Sequence, residues 1–311
     1  FRSLGLLSKI GVQFHEDHVI PEIIDPVSGE ILPEGSTGEL VMFRFRKNKL
    51  AMLGLVIILI MMLLAIFADV IIDYSMAVTS NSSLRLKSPS EGPPFGTDAY
   101  GRNQLARIVH GARISLSLGF FTTFISLGIG GLLGAMCGYY GGIPDLVLTR
   151  VCDAITAFPS FLLALVIVSV AGKGTYNVVL ALGILFIPSF ARVVRGEFAR
   201  CRDLNYIRSA RLMGVGDGRI LFCHILPNTR AVLLPAITIG FNNAILSEAS
   251  MSCLGIGIQP PQASLGSMLS DSQTYLGSAP WYALSVGGTM VLMILGFSLL
   301  SEGLQQRARR N

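Results

Sequence analysis

The chain has 311 residues, of which 51% are apolar and only 14% charged, whereas soluble domains carry about a quarter charged residues. That balance excludes an ordinary water-soluble fold. The net charge of +5 comes from arginines interleaved with apolar runs, and no aromatic and basic groove is readable, so nucleic acid is not an expected partner.

Residues 1–42 differ in character from the rest of the chain. The stretch Asp25 to Val41, DPVSGEILPEGSTGELV, predicts two short strands joined by turns marked with Gly and Pro. The segment His15 to Val41 resembles a piece of phenylacetate-CoA ligases and other adenylate-forming enzymes. It has neither the nucleotide-binding loop nor the large domain of such an enzyme, so no ligase activity is expected, and 1–42 reads as a fusion or an assembly artefact. His15 and His18 flank Glu16 and Asp17 with no helical pattern to gather them, and a solvated loop is expected there rather than a metal site. The sequence opens on Phe1 rather than methionine, as a processed or incomplete chain would.

Six charge-free runs come next, at Leu50 to Ala68, Ile114 to Pro144, Ala154 to Gly172, Gly174 to Ala191, Ala231 to Ser247 and Ser272 to Ser301. Each approaches or exceeds the roughly 20 residues that cross a bilayer as a helix. Hydrocarbon offers backbone groups no partner, so spans must be helices, or else strands that alternate polar and apolar residues, and these runs do not alternate. The expected fold is an all-α integral membrane protein over 43–311, with spans near 50–70, 113–140, 154–172, 175–194, 230–250 and 281–301. The first run stands behind Arg44, Arg46, Lys47 and Lys49 and reads as a retained anchor rather than a cleaved signal.

Basic residues set the orientation. Eight arginines lie from Arg192 to Arg230, and Arg307, Arg309 and Arg310 close the chain, whereas Met251 to Pro280 has no Lys or Arg. Both termini are therefore expected in the cytoplasm, although Arg85, Lys87, Arg102, Arg107 and Arg113 then fall on the outer side against the rule.

Between the spans, Asp69 to Gly101 is polar, rich in Ser and Pro, and reads as a loop. In Arg102 to Ala112, residues Leu105, Ile108, Val109 and Ala112 fall at helical spacing, which predicts a short helix lying at the membrane surface or packed on neighbouring spans, with His110 as polar-face filler. Gly130, Gly134 and Gly138 recur every fourth residue and predict a close helix contact. Arg150 and Asp153 suit a local i, i+3 pair, and Pro159 and Pro188 predict breaks in the third and fourth spans. Glu248, an isolated charge at the outer end of the fifth span, is expected to bond Ser247, Ser250 and Ser252. The five cysteines form no C-x-x-C pair and read as small buried thiols. The G-K-G-T at Gly172 lacks phosphate-loop spacing.

The most informative stretch is Tyr206 to Pro227, YIRSARLMGVGDGRILFCHILP, an arginine-bearing helix–turn–helix between spans. Ordered amphipathic structure at that place suits a knob gripped by a soluble protein. Ala210, Gly214, Leu226 and Pro227 give the spacing A-x3-G-x11-L-P, which resembles the loop by which importer permeases of the ATP-binding-cassette class dock their ATPase. FGTDAYGRN at Phe95, GARISLSLG at Gly111, AFPSFLLAL at Ala157 and LSEASMSCLGIGIQPPQASLGSML at Leu246 extend the likeness. From about Arg44 to Arg310 the chain resembles the second, C-type permease subunit of dipeptide, oligopeptide and nickel importers of that class.

The resemblance implies the type I importer permease fold of six transmembrane helices with a cytoplasmic docking helix-turn-helix. It implies a non-catalytic subunit of a bacterial or archaeal cytoplasmic membrane that pairs with a homologous permease, two cytoplasmic ATPase subunits and an external substrate-binding protein, the ATP and Mg being bound by the ATPase partners and no cofactor by this chain. Tyr206, Arg208, Ser209, Ala210, Gly214, His224, Leu226 and Pro227 would form the docking loop, and Gly96, Thr97, Asp98, Gly101, Arg102, Phe158, Pro159 and Glu248 occupy the family's motif positions. Arg208 and Ser209 replace the usual Glu-Ala ahead of Ala210, His224 stands in an isoleucine place, and Asn103 stands where aspartate is frequent. Cargo implied by the likeness is a di- or oligopeptide, with nickel, glutathione and some sugars as alternatives. A secondary transporter should instead show repeats and intramembrane charges, and a membrane enzyme a clustered nucleophile or metal set; neither pattern is readable here.

Overall fold

The computed structural model describes residues 49–308. The ligase-like segment and its four candidate metal ligands lie outside the described residues. Among the described residues five helices are long and apolar enough to cross a membrane, and a bent pair brings the number to six. They are α1 (Lys49–Ile66), α2 (Gln104–Tyr140), the bent pair α3 (Gly142–Thr156) and α4 (Ser160–Ala171), α5 (Thr175–Leu185) running into α6 (Ile187–Arg202), α8 (Leu226–Cys253) and α10 (Pro280–Ala308). Between them lie α7 (Asn205–Leu212) and α9 (Leu265–Gln273).

Helix contacts rest on glycine, because membrane helices gain little by hiding apolar surface from lipid and must instead bring their backbones close. A Cβ on Gly130, Gly134 or Gly138 of α2 would stand 2.6, 2.5 or 2.5 Å from the carbonyl oxygens of Ile187, Ala191 and Arg195 of α6. The two rows advance in step, four residues at a time, so the predicted glycine face is the seam between α2 and α6. A second seam joins the first and last spans, where a Cβ on Gly54 would stand 2.7 Å from the Gly296 carbonyl oxygen.

Four local expectations are corrected. Arg102 to Ala112 is no separate surface helix, because Gln104 opens one continuous 37-residue helix and residues 106–112 are all buried. His110 is accordingly not surface filler; its Nε2 lies 3.0 Å from the Ile72 carbonyl oxygen. The break expected at Pro159 is present, the third span bending by 83° at Ala157–Pro159, since Pro159 has no N–H to continue the helix and its extended backbone instead caps α4. Asp153 turns away from Arg150 to Arg192 of α6 at 3.4 Å, where the same guanidinium also donates to Thr156 Oγ1 at 2.5 Å. Cys137, Cys152 and Cys201 are buried as expected, whereas Cys223 and Cys253 are exposed.

The Asp69–Gly101 connection is more ordered than its composition suggests, with short helices at Ala68–Ile71 and Tyr74–Val78 and a 3-10 turn at Ser82–Leu84. Asp73 caps the second of these by accepting from the Ser75 backbone N–H at 3.0 Å, which holds its carboxyl below the ordinary carboxylate range.

Candidate coupling site

Two clusters hold the residues singled out by sequence, one at each end of α2. At its N-terminal end the FGTDAYGRN turn is a folding device. Asp98 is fully buried and accepts from the backbone N–H groups of Tyr100 and Arg102, both at 2.9 Å. Its second oxygen takes Arg102 Nε at 2.6 Å and Arg107 Nη1 at 3.2 Å. A buried carboxylate is tolerated only when paired and hydrogen-bonded in this way. Thr97 is buried too, donating to the Leu84 carbonyl and accepting from the Lys87 N–H. Gly96 and Gly101 take φ of +75° and +73°, the left-handed region where a side chain is strained. Asn103 caps α2, its Oδ1 accepting from the N–H groups of Leu105 and Ala106 at 3.0 and 3.3 Å. An asparagine oxygen serves that capping role as well as an aspartate does.

Beside this turn a polar cavity of about 450 Å³ is bounded by Arg102, Arg107, Gln259, Gln262 and Asp271. Burial raises the Asp271 carboxyl, against the pull of Arg107 and Arg102. Glu248 lies close behind with no exposed surface, its Oε1 accepting from Ser252 and Ser264, both at 2.6 Å. Of the three expected serine partners only Ser252 is one; Ser250 bonds the Leu246 carbonyl of its own helix, and Ser264 joins from the loop ahead of α9. Phe158, 63% exposed, and Pro159 mark the α3–α4 bend, away from both clusters.

At the other end of α2 stands the Tyr206–Pro227 knob. Helix α7 closes in a Schellman turn: the Gly214 N–H donates to the Arg211 carbonyl at 2.9 Å and the Val215 N–H to the Ala210 carbonyl at 3.1 Å, with Gly214 at φ +79°. This is the bonding that a glycine at the helix exit provides, and it explains why Ala210, buried beneath the turn, and Gly214 stand four apart. Nothing lies within 4 Å of a Cβ built on Gly214, so backbone conformation rather than space selects glycine. Gly216 precedes a short helix, Asp217–Arg219, that takes in Gly218, so the two glycines do not extend a loose turn. A π-helical turn, Ile220–Ile225, holds His224 half-buried. Leu226 and Pro227 then open α8, with proline where a first-turn N–H is dispensable.

The inner face of the knob is apolar. Ile207, Ile220, Leu221 and Ile225 pack against Val194, Phe198 and Cys201 of α6 and Tyr139 of α2. Tyr206, Arg208 and Ser209 face outward, and Asn228 donates to the Tyr206 hydroxyl at 2.9 Å. Burial raises the Tyr206 phenol, partly offset by that bond. The knob also exposes residues that spacing alone did not reveal: Leu212 is 90% exposed and Phe222 61%, and Met213, Arg208 and Arg219 are exposed too.

The family model described as binding-protein-dependent transport system inner membrane component matches residues 130–310, which include the whole knob. The chain belongs to this permease family. A second model, the N-terminal TM domain of oligopeptide transport permease C, matches residues 36–89 of the permease. Its relatives include the dipeptide transport system permease protein DppC of Alkalihalophilus pseudofirmus, 43% identical over 84% of this chain and 86% of that protein. The glutathione transport system permease protein GsiD of Pectobacterium atrosepticum is 36% identical over 84% of this chain and 87% of its own length. These relatives place the permease with the C-type subunits of ATP-binding-cassette importers. A solved inward-facing structure of the MetNI methionine ABC transporter shares the fold, with a TM-score of 0.54 at 18% identity over 66% of this chain and 96% of that one.

Proposed function

We propose that the permease is the C-type half of an importer for di- and oligopeptides, itself without catalytic chemistry, and that the Asn205–Ile225 knob is where a cytoplasmic ATPase seats. The observation that carries the seat is the outer face of the knob, with Leu212, Met213 and Phe222 exposed among arginines on a base anchored to two spans. A homologous permease, two ATPase subunits that bind the ATP and Mg, and an external binding protein complete the machine. Peptide cargo is favoured by the 43% identity to a dipeptide permease. Glutathione, itself a small peptide, is the second reading, supported by the GsiD relatives.

Co-expressed with its partner genes in an amino-acid auxotroph that lacks its own peptide uptake, the permease should restore growth on a dipeptide carrying the required amino acid. Uptake of glutathione with no uptake of dipeptide would shift the cargo to the second reading.

Orientation has its own check. In a cysteine-free background an impermeant thiol reagent should label Gln262→Cys in intact cells and reach Arg219→Cys only after lysis. The reverse pattern would overturn the proposed cytoplasmic position of the knob.

A further inference from the structure

Taking the knob as the ATPase seat, a reading on which this inference rests, we propose that Tyr139 is the positioning residue that carries the knob's movement into the second span. Tyr139 occupies the last turn of α2 and is 2% exposed. Its hydroxyl donates to Asp217 Oδ1 at 2.6 Å and accepts from Arg211 Nε at 3.2 Å. The Arg211 guanidinium also lies over the ring, 4.7 Å from its centroid. Arg211 comes before Gly214 in the Schellman turn and Asp217 after it, so one side chain grips both limbs of the knob across Gly214.

The apolar seat cannot do the same work. Contacts of Ile207, Ile220 and Ile225 on α6 are non-directional; they hold the knob down without tying it to α2 through a polar bond. Among the described residues the two side-chain hydrogen bonds that run from the knob to α2 both end on the Tyr139 hydroxyl. A bond of 2.6 Å from a hydroxyl to a carboxylate is short and directional, and it fixes the register between knob and span. Beyond it the movement has a route. Arg202 of α6 reaches the Gly138 and Tyr139 carbonyls at 3.4 Å, Gly138 lies against Arg195 in the glycine seam, and Arg195 is paired with Asp145 of α3.

The test uses the assembled importer in lipid nanodiscs. Tyr139→Phe keeps the ring and removes the hydroxyl. ATPase co-purification and basal hydrolysis should be unchanged, while stimulation by loaded binding protein falls by more than about fivefold, the factor set by one hydrogen bond of ordinary net strength, because the Asp217 and Arg211 bonds are both lost. Asp217→Ala, which removes one of the two bonds, should lose about fivefold of the stimulation per bound ATPase, and Asp217→Asn, which keeps an accepting oxygen, should restore it. The double variant Tyr139→Phe with Asp217→Ala should be no worse than Tyr139→Phe alone, since the phenylalanine has already removed the bond to Asp217. Wild-type stimulation in Tyr139→Phe, or additive losses in the double variant, would overturn the proposal. If Tyr139→Phe does not assemble, the exposed Asp217 carries the test through its Ala and Asn variants. A Leu212→Cys cross-link to the ATPase, made in an otherwise unaltered importer, separates the two readings. Without that cross-link the ATPase seat falls and this inference with it; with the cross-link and full stimulation in the variants, only the role of Tyr139 falls.

Discussion

Replacing Gly214 by glutamate should leave a permease that inserts and pairs with its partner but no longer lets loaded binding protein stimulate the ATPase. The backbone there, at φ +79°, costs an L-residue about 1–2 kcal/mol, small against the roughly 5–15 kcal/mol that holds a domain together. The knob can shed that strain by opening the Schellman turn, which breaks the Val215 to Ala210 bond and displaces Leu212 and Met213 from the outer face. A glutamate also adds a negative charge to a knob whose exposed residues include Arg208 and Arg219. Stimulated hydrolysis should fall about tenfold or more, the change that about 1.4 kcal/mol of lost coupling produces. Measured beside wild type with ATPase co-purification as the second readout, retained stimulation with full ATPase content would remove the docking assignment.

Gly134→Leu should act on a different property, the folding of the pair α2 and α6. A Cβ at 134 would lie 2.5 Å from the Ala191 carbonyl oxygen and 3.1 Å from the Arg195 nitrogen. Those are backbone atoms with no rotamer to yield, so the whole seam must separate. Overpacking of a tight contact costs about 1–3 kcal/mol and occasionally more, and the rigidity of two backbones puts this case at the upper end. Gly128→Leu is the matched control, because nothing lies within 4 Å of a Cβ on Gly128 of the same helix. The 134 variant should lose most of its detergent-stable, monodisperse fraction and the 128 variant little. Equal yields would mean that the α2–α6 seam is not as close as its carbonyl contacts imply.

Much of this architecture is legible in the sequence, for physical reasons that can be named. Spans are readable because a charge in hydrocarbon is costly, so runs free of Asp, Glu, Lys and Arg persist. The Gly130, Gly134 and Gly138 seam is readable because helical periodicity alone puts those residues on one face, and Gly214 because a helix exit at positive φ favours glycine. What escapes depends on which elements meet. Arg150 and Asp153 have suitable local spacing, yet Asp153 finds Arg192, 39 residues away. Tyr139 and Asp217 are separated by 78 residues, and nothing in either neighbourhood announces the other. Helix α2 begins about ten residues before the predicted second span because Arg107 and His110, polar and so read as interfacial, are satisfied by Asp98 and the Ile72 carbonyl.

That continuous helix has a further consequence. At 37 residues α2 is about 55 Å long, nearly twice the roughly 30 Å of bilayer hydrocarbon, and it is pinned by Asp98 and its arginines at one tip and by Tyr139 at the other. Its glycine seam lies towards the Tyr139 end, so that stretch can act as a fulcrum held close to the neighbouring span. Were the helix to tilt by about 10° around Gly134, the Gln104 tip, about 45 Å away, would swing by about 8 Å and the Tyr140 tip, about 9 Å away, by about 1.6 Å in the opposite sense. A single rigid arm would then turn a small stroke of the knob at Asp217 into a larger, opposite one at the polar cavity by Arg102.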